Sequence, residues 1–244
     1  MKLKFSKGNA KLGKHTAVFS LPAGHTCAGA HLCLSMVGKD TGKLVDGPQC
    51  QFRCYAATSE AMFPNVRRSR WANLDLLKGK SIRAMADLIK ESLPVKGISL
   101  VRVHASGDFF SQDYFDAWLM VAREMPNLTF YAYTKMLPLW VRRRNVIPAN
   151  FKLVASLGGK FDRLVAQYDL RSVRVVFSTA EALRLGLQID HDDTLAWDSD
   201  KSFALLLHGA QPAKSNAAIA LSKLRAKGQG GYKADYFGHY KKVK

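Results

Sequence analysis

From residue 98 onward the chain is written in short apolar runs separated by helical patterns, and this rhythm constrains the fold more than any other feature. GISLVRVHASGD reads as a strand from Ile98 to His104. SQDYFDAWLMVAREMP reads as a helix, with Ser111 placed to cap it. NLTFYAYTK is a strand and LPLWVRRRN a short helix. FKLVASLGG is a strand followed by helical FDRLVAQY, and VRVVFS a strand followed by helical EALRLG. TLAWD and FALLLHG read as two further strands, and NAAIALSKLRAK as a closing helix. Strands that alternate with helices build β-α units on a parallel sheet. The runs are almost continuously apolar, as strands covered on both faces must be. The expected class is α/β, a partial (β/α) barrel of about six parallel strands with an N-terminal cysteine-rich loop region. An open doubly wound sheet is the alternative.

Upstream the signals are weaker. Residues 1–24 read as irregular, with a short apolar run at AVFSLP. ATSEAMFPNVRRSRWANLDLLKGK reads as partly helical and interrupted at Pro64. SIRAMADLIKESLP carries Ile82, Met85, Ala86 and Ile89 at helical spacing and ends at Pro94. Three regions follow within one structural domain: an N-terminal extension with the cysteine loop (1–80), the β/α repeats (81–228) and a basic aromatic tail (229–244). With 48 % apolar and 23 % charged residues, the composition supports a core without help from disulfides or metal.

All four cysteines nevertheless fall in HTCAGAHLCLSMVGKDTGKLVDGPQCQFRCYA, at Cys27, Cys33, Cys50 and Cys54. No leader with an apolar core precedes them and no window suits a membrane span, so a reducing compartment is expected. There, a metal or cluster is a better reading than disulfides. Four thiolates suit either zinc or a four-iron, four-sulfur (4Fe-4S) cluster. The spacing C-x5-C-x16-C-x3-C lacks the usual two-residue zinc hook and favours the cluster, whose irons sit at separate corners. Zn2+, buried free thiols and a catalytic cysteine stay open. If all four bind, no iron corner is free; if three bind, one corner is open to substrate. His25 and His31, in the same segment, are candidate substitutes or outer hydrogen-bond partners. Tyr55 is expected to pack beside the site, and Arg53 to offset its charge or face water.

Polar and small residues gather where the strands end. His104, Ser106, Gly107 and Asp108 follow the first strand and Lys135 the second. In barrels and open sheets alike this edge holds the site, so these five residues form a possible ligand pocket. Asp108 could instead cap the next helix, and His104 could be a core residue. The formal charge of +18 attracts polyanions, and RRSRW and WVRRR set arginines beside tryptophan. Arg67, Arg68, Arg70, Arg142, Arg143 and Arg144 are thus candidate DNA or RNA contacts. Trp140 fits an apolar stripe with Leu137 and Val141 and is expected to be buried. No spacing for base-specific reading is present.

CQFRCYA, VRVHASGDFFSQDYFDAWLMVA and NLTFYAYTK together resemble the bacteriophage gene-product-88-like family, over about residues 17–235. That resemblance implies a viral protein in the cytoplasm of an infected bacterium. In layout the chain also resembles, more distantly, the radical S-adenosylmethionine enzymes, which carry a C-x3-C-x2-C motif ahead of a partial barrel. Cys50 and Cys54 match its first half, but Ala57 stands at the third ligand position. Ser106, Gly107 and Asp108 stand where those enzymes hold the methionine amino group. S-adenosylmethionine binding therefore requires that one cysteine not be a ligand. The readings carried forward are an iron-sulfur protein, a zinc-stabilised nucleic-acid-binding protein without redox chemistry, and a hydrolase or transferase with structural thiols.

Overall fold

The computed structural model describes residues 1–8 and 11–229. Along the chain lie β1 (Ser6–Lys7), β2 (Thr16–Ser20), β3 (Ser35–Val37), β4 (Leu44–Asp46), α1 (Tyr55–Met62), α2 (Pro64–Leu77) and α3 (Ile82–Ser92). Then come β5 (Leu100–Ser106), α4 (Gln112–Glu124), β6 (Thr129–Thr134), α5 (Leu137–Arg143), β7 (Phe151–Ser156), α6 (Arg163–Gln167) and β8 (Ser172–Val176). The last elements are α7 (Thr179–Arg184), β9 (Gln188–Ile189), α8 (Thr194–Asp198), β10 (Phe203–Leu206) and α9 (Asn216–Ala226).

Among the described residues the main sheet has eight strands, in the order β1-β2-β5-β6-β7-β8-β10-β9. Only β1 is antiparallel to its neighbour; every other pairing is parallel. From β2 to β8 the order follows the chain and never doubles back, unlike a doubly wound sheet. Side chains alternate between two cores. Phe130 and Ala132 of β6 pack with Val101, Val103 and Trp118 on the side of α3 and α4. Tyr131 and Tyr133 face the other way, with Val154, Phe203 and the short helix α8. Both faces are covered, which accounts for the nearly unbroken apolar strands. Serines cap the helices that follow loops: Ser81, Ser111, Ser178 and Ser215 each accept an amide from the first turn.

Four expectations change. Residues 16–20 are not irregular: Ala17, Val18 and Phe19 are buried in β2, which pairs with β5 inside the main sheet. TLAWD is the helix α8, because Asp193 with φ 67° ends the preceding turn and starts a helical one. The cysteine segment is not one long loop. It contains the β3–β4 hairpin, paired Ser35↔Asp46 through Val37↔Leu44, and Cys54 is the residue before α1. Asp108 does not cap α4, since Ser111 does. The aromatic tail beyond Gln229 lies outside the described residues. Among those described, no helix is long and apolar enough to cross a membrane.

Candidate functional site

After β2 the chain turns over the C-terminal edge of the sheet and stays there until α1. Leu21 N–H donates to Ser106 O at the end of β5 (2.8 Å), and Leu32 N–H to Gly158 O beyond β7 (3.0 Å). Lys160 N–H returns a bond to Gly29 O (2.9 Å), beside the Ala30↔Gly159 bridge. The Tyr55 hydroxyl donates to Ala105 O (2.6 Å) and its ring lies 4.9 Å from that of His208, after β10. Arg53 N–H donates to Gln211 Oε1 (2.7 Å), and Phe52 meets Phe177, after β8, edge to face. The cysteine segment is thereby tied to the ends of β5, β7, β8 and β10. One tie needs glycine. Gly107 has φ +82°, and a Cβ there would stand 2.6 Å from Thr26 Oγ1 and 2.7 Å from Leu21 Cβ. Gly107→Ala is expected to destabilise by about 1–3 kcal/mol, read by urea unfolding.

The hairpin explains the sixteen-residue gap. Cys33 precedes β3 and Cys50 follows β4, so the two thiols flank its open end. Gln51 N–H closes it by donating to Leu32 O (2.8 Å). Ser35 joins the group: its hydroxyl lies 3.7 Å from Cys50 Sγ and accepts from Cys54 N–H at 3.4 Å. All four cysteines are free thiols and partly buried. Burial is the first cause that pushes each thiol pKa up, with Cys33 at about 11. They also act on one another. Cys54 and Cys33 raise Cys27, Cys54 and Cys50 raise Cys33, and Cys54 raises Cys50. Against this trend, the Ala56 and Ala57 amides in the first turn of α1 lower Cys54, and Lys135 lowers Cys33. Among the described residues, no group of three or more His, Cys, Asp or Glu is arranged to hold a metal ion.

Nearby side chains are mostly committed. Arg53 forms a two-pronged ion pair with Asp46 of β4, through Nε at 3.0 Å and a shorter contact from its terminal nitrogen. His25 bonds Val37 O at 2.9 Å and packs on Trp71, while His31 is exposed. His104, with φ 73°, bonds Tyr114 of α4 at 2.9 Å and packs against Phe109 and Phe19. Burial lowers its pKa to about 3. Asp108 accepts from Thr134 Oγ1 (2.7 Å), Phe109 N–H and Lys135 N–H (both 2.8 Å), and burial raises its pKa to about 6. It therefore splices the end of β5 to the end of β6. Lys135 Nζ donates to Ser156 O, Ser156 Oγ and Leu157 O at 2.8, 2.9 and 2.6 Å. Ser106 donates to Glu60 Oε1 at 3.2 Å.

Glu60 belongs to a buried pair that sequence reasoning missed. Its Oε1 also accepts from Ala23 N–H and Arg70, both at 2.8 Å, and the residue has no exposed surface. Arg70, read as a nucleic-acid contact, thus points inward; Glu60 on the neighbouring helix draws it there. The other arginines divide. Arg67 donates to Lys39 O and Glu60 O, Arg143 pairs with Asp116 at 2.7 Å, and Arg144 lies over Tyr168. Arg68, bonded to Asn65, and Arg142 are exposed. Trp140 is partly buried against the main core.

A second missed pair lies on the other face of the sheet. Arg102 of β5 reaches Asp193 at 2.6 Å, and Tyr131 donates to the same carboxylate at 3.3 Å. Lys11, from before β2, stands 3.8 Å from its other oxygen. Burial works against the Arg102 charge, and Asp193 overrides it. The signal was one arginine inside the apolar run LVRVHA.

A family model described as "Gene product 88" matches residues 2–226. The "Gene 88 protein" of Mycobacterium phage D29 is 33 % identical over 95 residues, which cover 36 % of this chain and 40 % of that protein. The "Gene 88 protein" of Mycobacterium phage L5 is 32 % identical over 95 residues, with the same shares. The chain thus spans 40 % of the length of these curated relatives. No solved structure matches. The family match runs from before β1 to the end of α9 and takes in the cysteine segment and every strand of the sheet: the chain belongs to the gene product 88 family.

Proposed function

We propose that this protein is a viral iron-sulfur protein, with a 4Fe-4S cluster held by Cys27, Cys33, Cys50 and Cys54 at the mouth of a partial (β/α) barrel. The observation that carries the reading is that the fold lays the whole cysteine segment over the strand ends, where Ser35 touches both Cys50 Sγ and the Cys54 amide. The donor set suits the group. A cubane takes each thiolate at a separate corner and tolerates wider spacing. Burial disfavours bare thiolates here, and a bound cation would reverse that preference.

The barrel reading draws on two features. From β2 to β8 the strand order runs without reversal, and Asp193, just after the edge strand β9, meets Arg102 of β5. A flat sheet would hold those two strands about 24 Å apart. The cysteines also follow the first parallel strand, the layout of radical S-adenosylmethionine enzymes. Ala57, however, is buried in α1 and offers no donor. With four thiolates the ligand set is complete, which suits electron transfer, sensing or a structural role rather than substrate binding at iron.

Within this site the chain's own residues have separate tasks. The hairpin carries Cys33 and Cys50 at its open end, α1 directs its first amides at Cys54, and Ser35 links Cys50 to Cys54. A bound cluster would supply one-electron chemistry. The test is anaerobic purification with metal and sulfide analysis and a visible spectrum. About four iron and four sulfide per chain are expected. A colourless protein with one zinc per chain would overturn the reading.

A further inference from the structure

We infer that the face of the sheet that carries α8 holds a binding site for a small neutral heterocycle with a lactam edge, the O=C–N–H grouping of uracil or hypoxanthine. The site is separate from the thiols and does not depend on iron. A covered face of a parallel sheet is ordinarily apolar throughout. Here Arg102 of β5 and Tyr131 and Tyr133 of β6 stand around Asp193 instead. The Arg102 guanidinium lies 2.6 Å from the Asp193 carboxylate, and its Cζ lies 5.3 Å from the centre of the Tyr133 ring. Asp190 joins them. Ile189 of β9 packs with Val176 and Leu206 on the opposite side, so alternation turns Asp190 toward α8. Asp192 N–H donates to Asp190 Oδ1 at 3.1 Å, which folds Asp190 and Asp193 into one turn.

Three atoms of this group are buried without a hydrogen-bond partner among the described residues: Arg102 Nε, Tyr133 Oη and Asp190 Oδ2. Asp190 as a whole is only 5 % exposed. Buried polar atoms are nearly always bonded, so each one left over needs an explanation. Their chemistry is mixed. Arg102 Nε–H only donates, an ionised Asp190 only accepts, and the Tyr133 hydroxyl does either. A simple cation, a simple anion or a hydrocarbon answers part of that set at most. A lactam answers it, with its carbonyl toward Arg102 and its N–H toward Asp190. Charge favours a neutral guest, because Arg102 and Lys11 already stand against Asp193 and Asp190, with Lys11 3.8 Å from Asp193. Tyr131, Tyr133 and Phe203 meet edge to face and supply the apolar walls that a flat ring needs.

The experiment is thermal unfolding and calorimetric titration of the full chain with uracil, hypoxanthine and doubly N-methylated uracil, which keeps both carbonyls and has no N–H. Millimolar uracil or hypoxanthine is expected to bind and raise the unfolding temperature, and the methylated compound to do neither. Asp190→Asn and Tyr133→Phe should each weaken binding about tenfold, the worth of one hydrogen bond to a charged or buried group. Without ligand, Tyr133→Phe should unfold about 2–4 °C higher than the native chain, because it removes an unbonded buried hydroxyl. Failure of the native chain to bind either base, equal binding of the methylated compound, or undiminished binding by both variants overturns the inference. So does a Tyr133→Phe protein that unfolds at the native temperature or below, which would mean that ordered water already satisfies the hydroxyl. If Asp190→Asn does not fold, Tyr133→Phe and the methylated compound decide alone.

Discussion

Replacing Asp193 with alanine is expected to lower the unfolding free energy by about 3–5 kcal/mol, the usual loss when one member of a buried ion pair is removed. Asp193 is 2 % exposed, and the Arg102 side chain is 13 % exposed. Without the carboxylate, the guanidinium keeps a weak contact to Tyr55 and loses its counter-charge, and Tyr131 loses its acceptor. Arg102 Nε is already without a partner, so little of the loss can be made up. Urea unfolding of both proteins measures it. The double replacement Arg102→Leu with Asp193→Leu should be less damaging than Asp193→Ala, because apolar side chains of similar size leave no stranded charge. A loss below about 1 kcal/mol would mean that water compensates Arg102 as it does an exposed ion pair.

Replacing Cys54 with serine is expected to reduce reconstituted iron by more than about tenfold, since even outer partners of a ligand are worth about 10–100-fold in metal affinity. Cys54 is the thiol that acts on each of the other three, and it sits at the start of α1. His31→Ala, on the exposed side of the same segment, should retain full iron. Equal retention in both variants would exclude Cys54 as a ligand. The same series across Cys27, Cys33 and Cys50 counts the ligands one by one.

The β-α rhythm was legible because strands such as Phe151–Ser156 and helices such as Gln112–Glu124 are periodic, well bounded and locally capped. β2 was not. Five residues among lysines and glycines carry too short a pattern, and only pairing with β5 makes them a strand. TLAWD looked extended because its apolar residues cluster, yet Asp193 in a left-handed turn starts a helix there. At the site, the cysteines and Asp108 could be named from residue type alone. Their settings could not. Arg70 stands in a basic run beside a tryptophan, the pattern of a nucleic-acid surface, and only the fold brings Glu60 against it. His104 lies at a strand end, but its positive φ turns it to Tyr114 of α4.

The hairpin between Cys33 and Cys50 has a consequence for how relatives should be sought. A strand pair can grow or shrink at its tip by two residues, one on each strand, without changing which face any side chain takes. The sulfurs at the open end would not move. The gap between these two cysteines is therefore a tunable length, expected to differ among related chains by even numbers. A search pattern with that gap held at sixteen would discard proteins that build the same site.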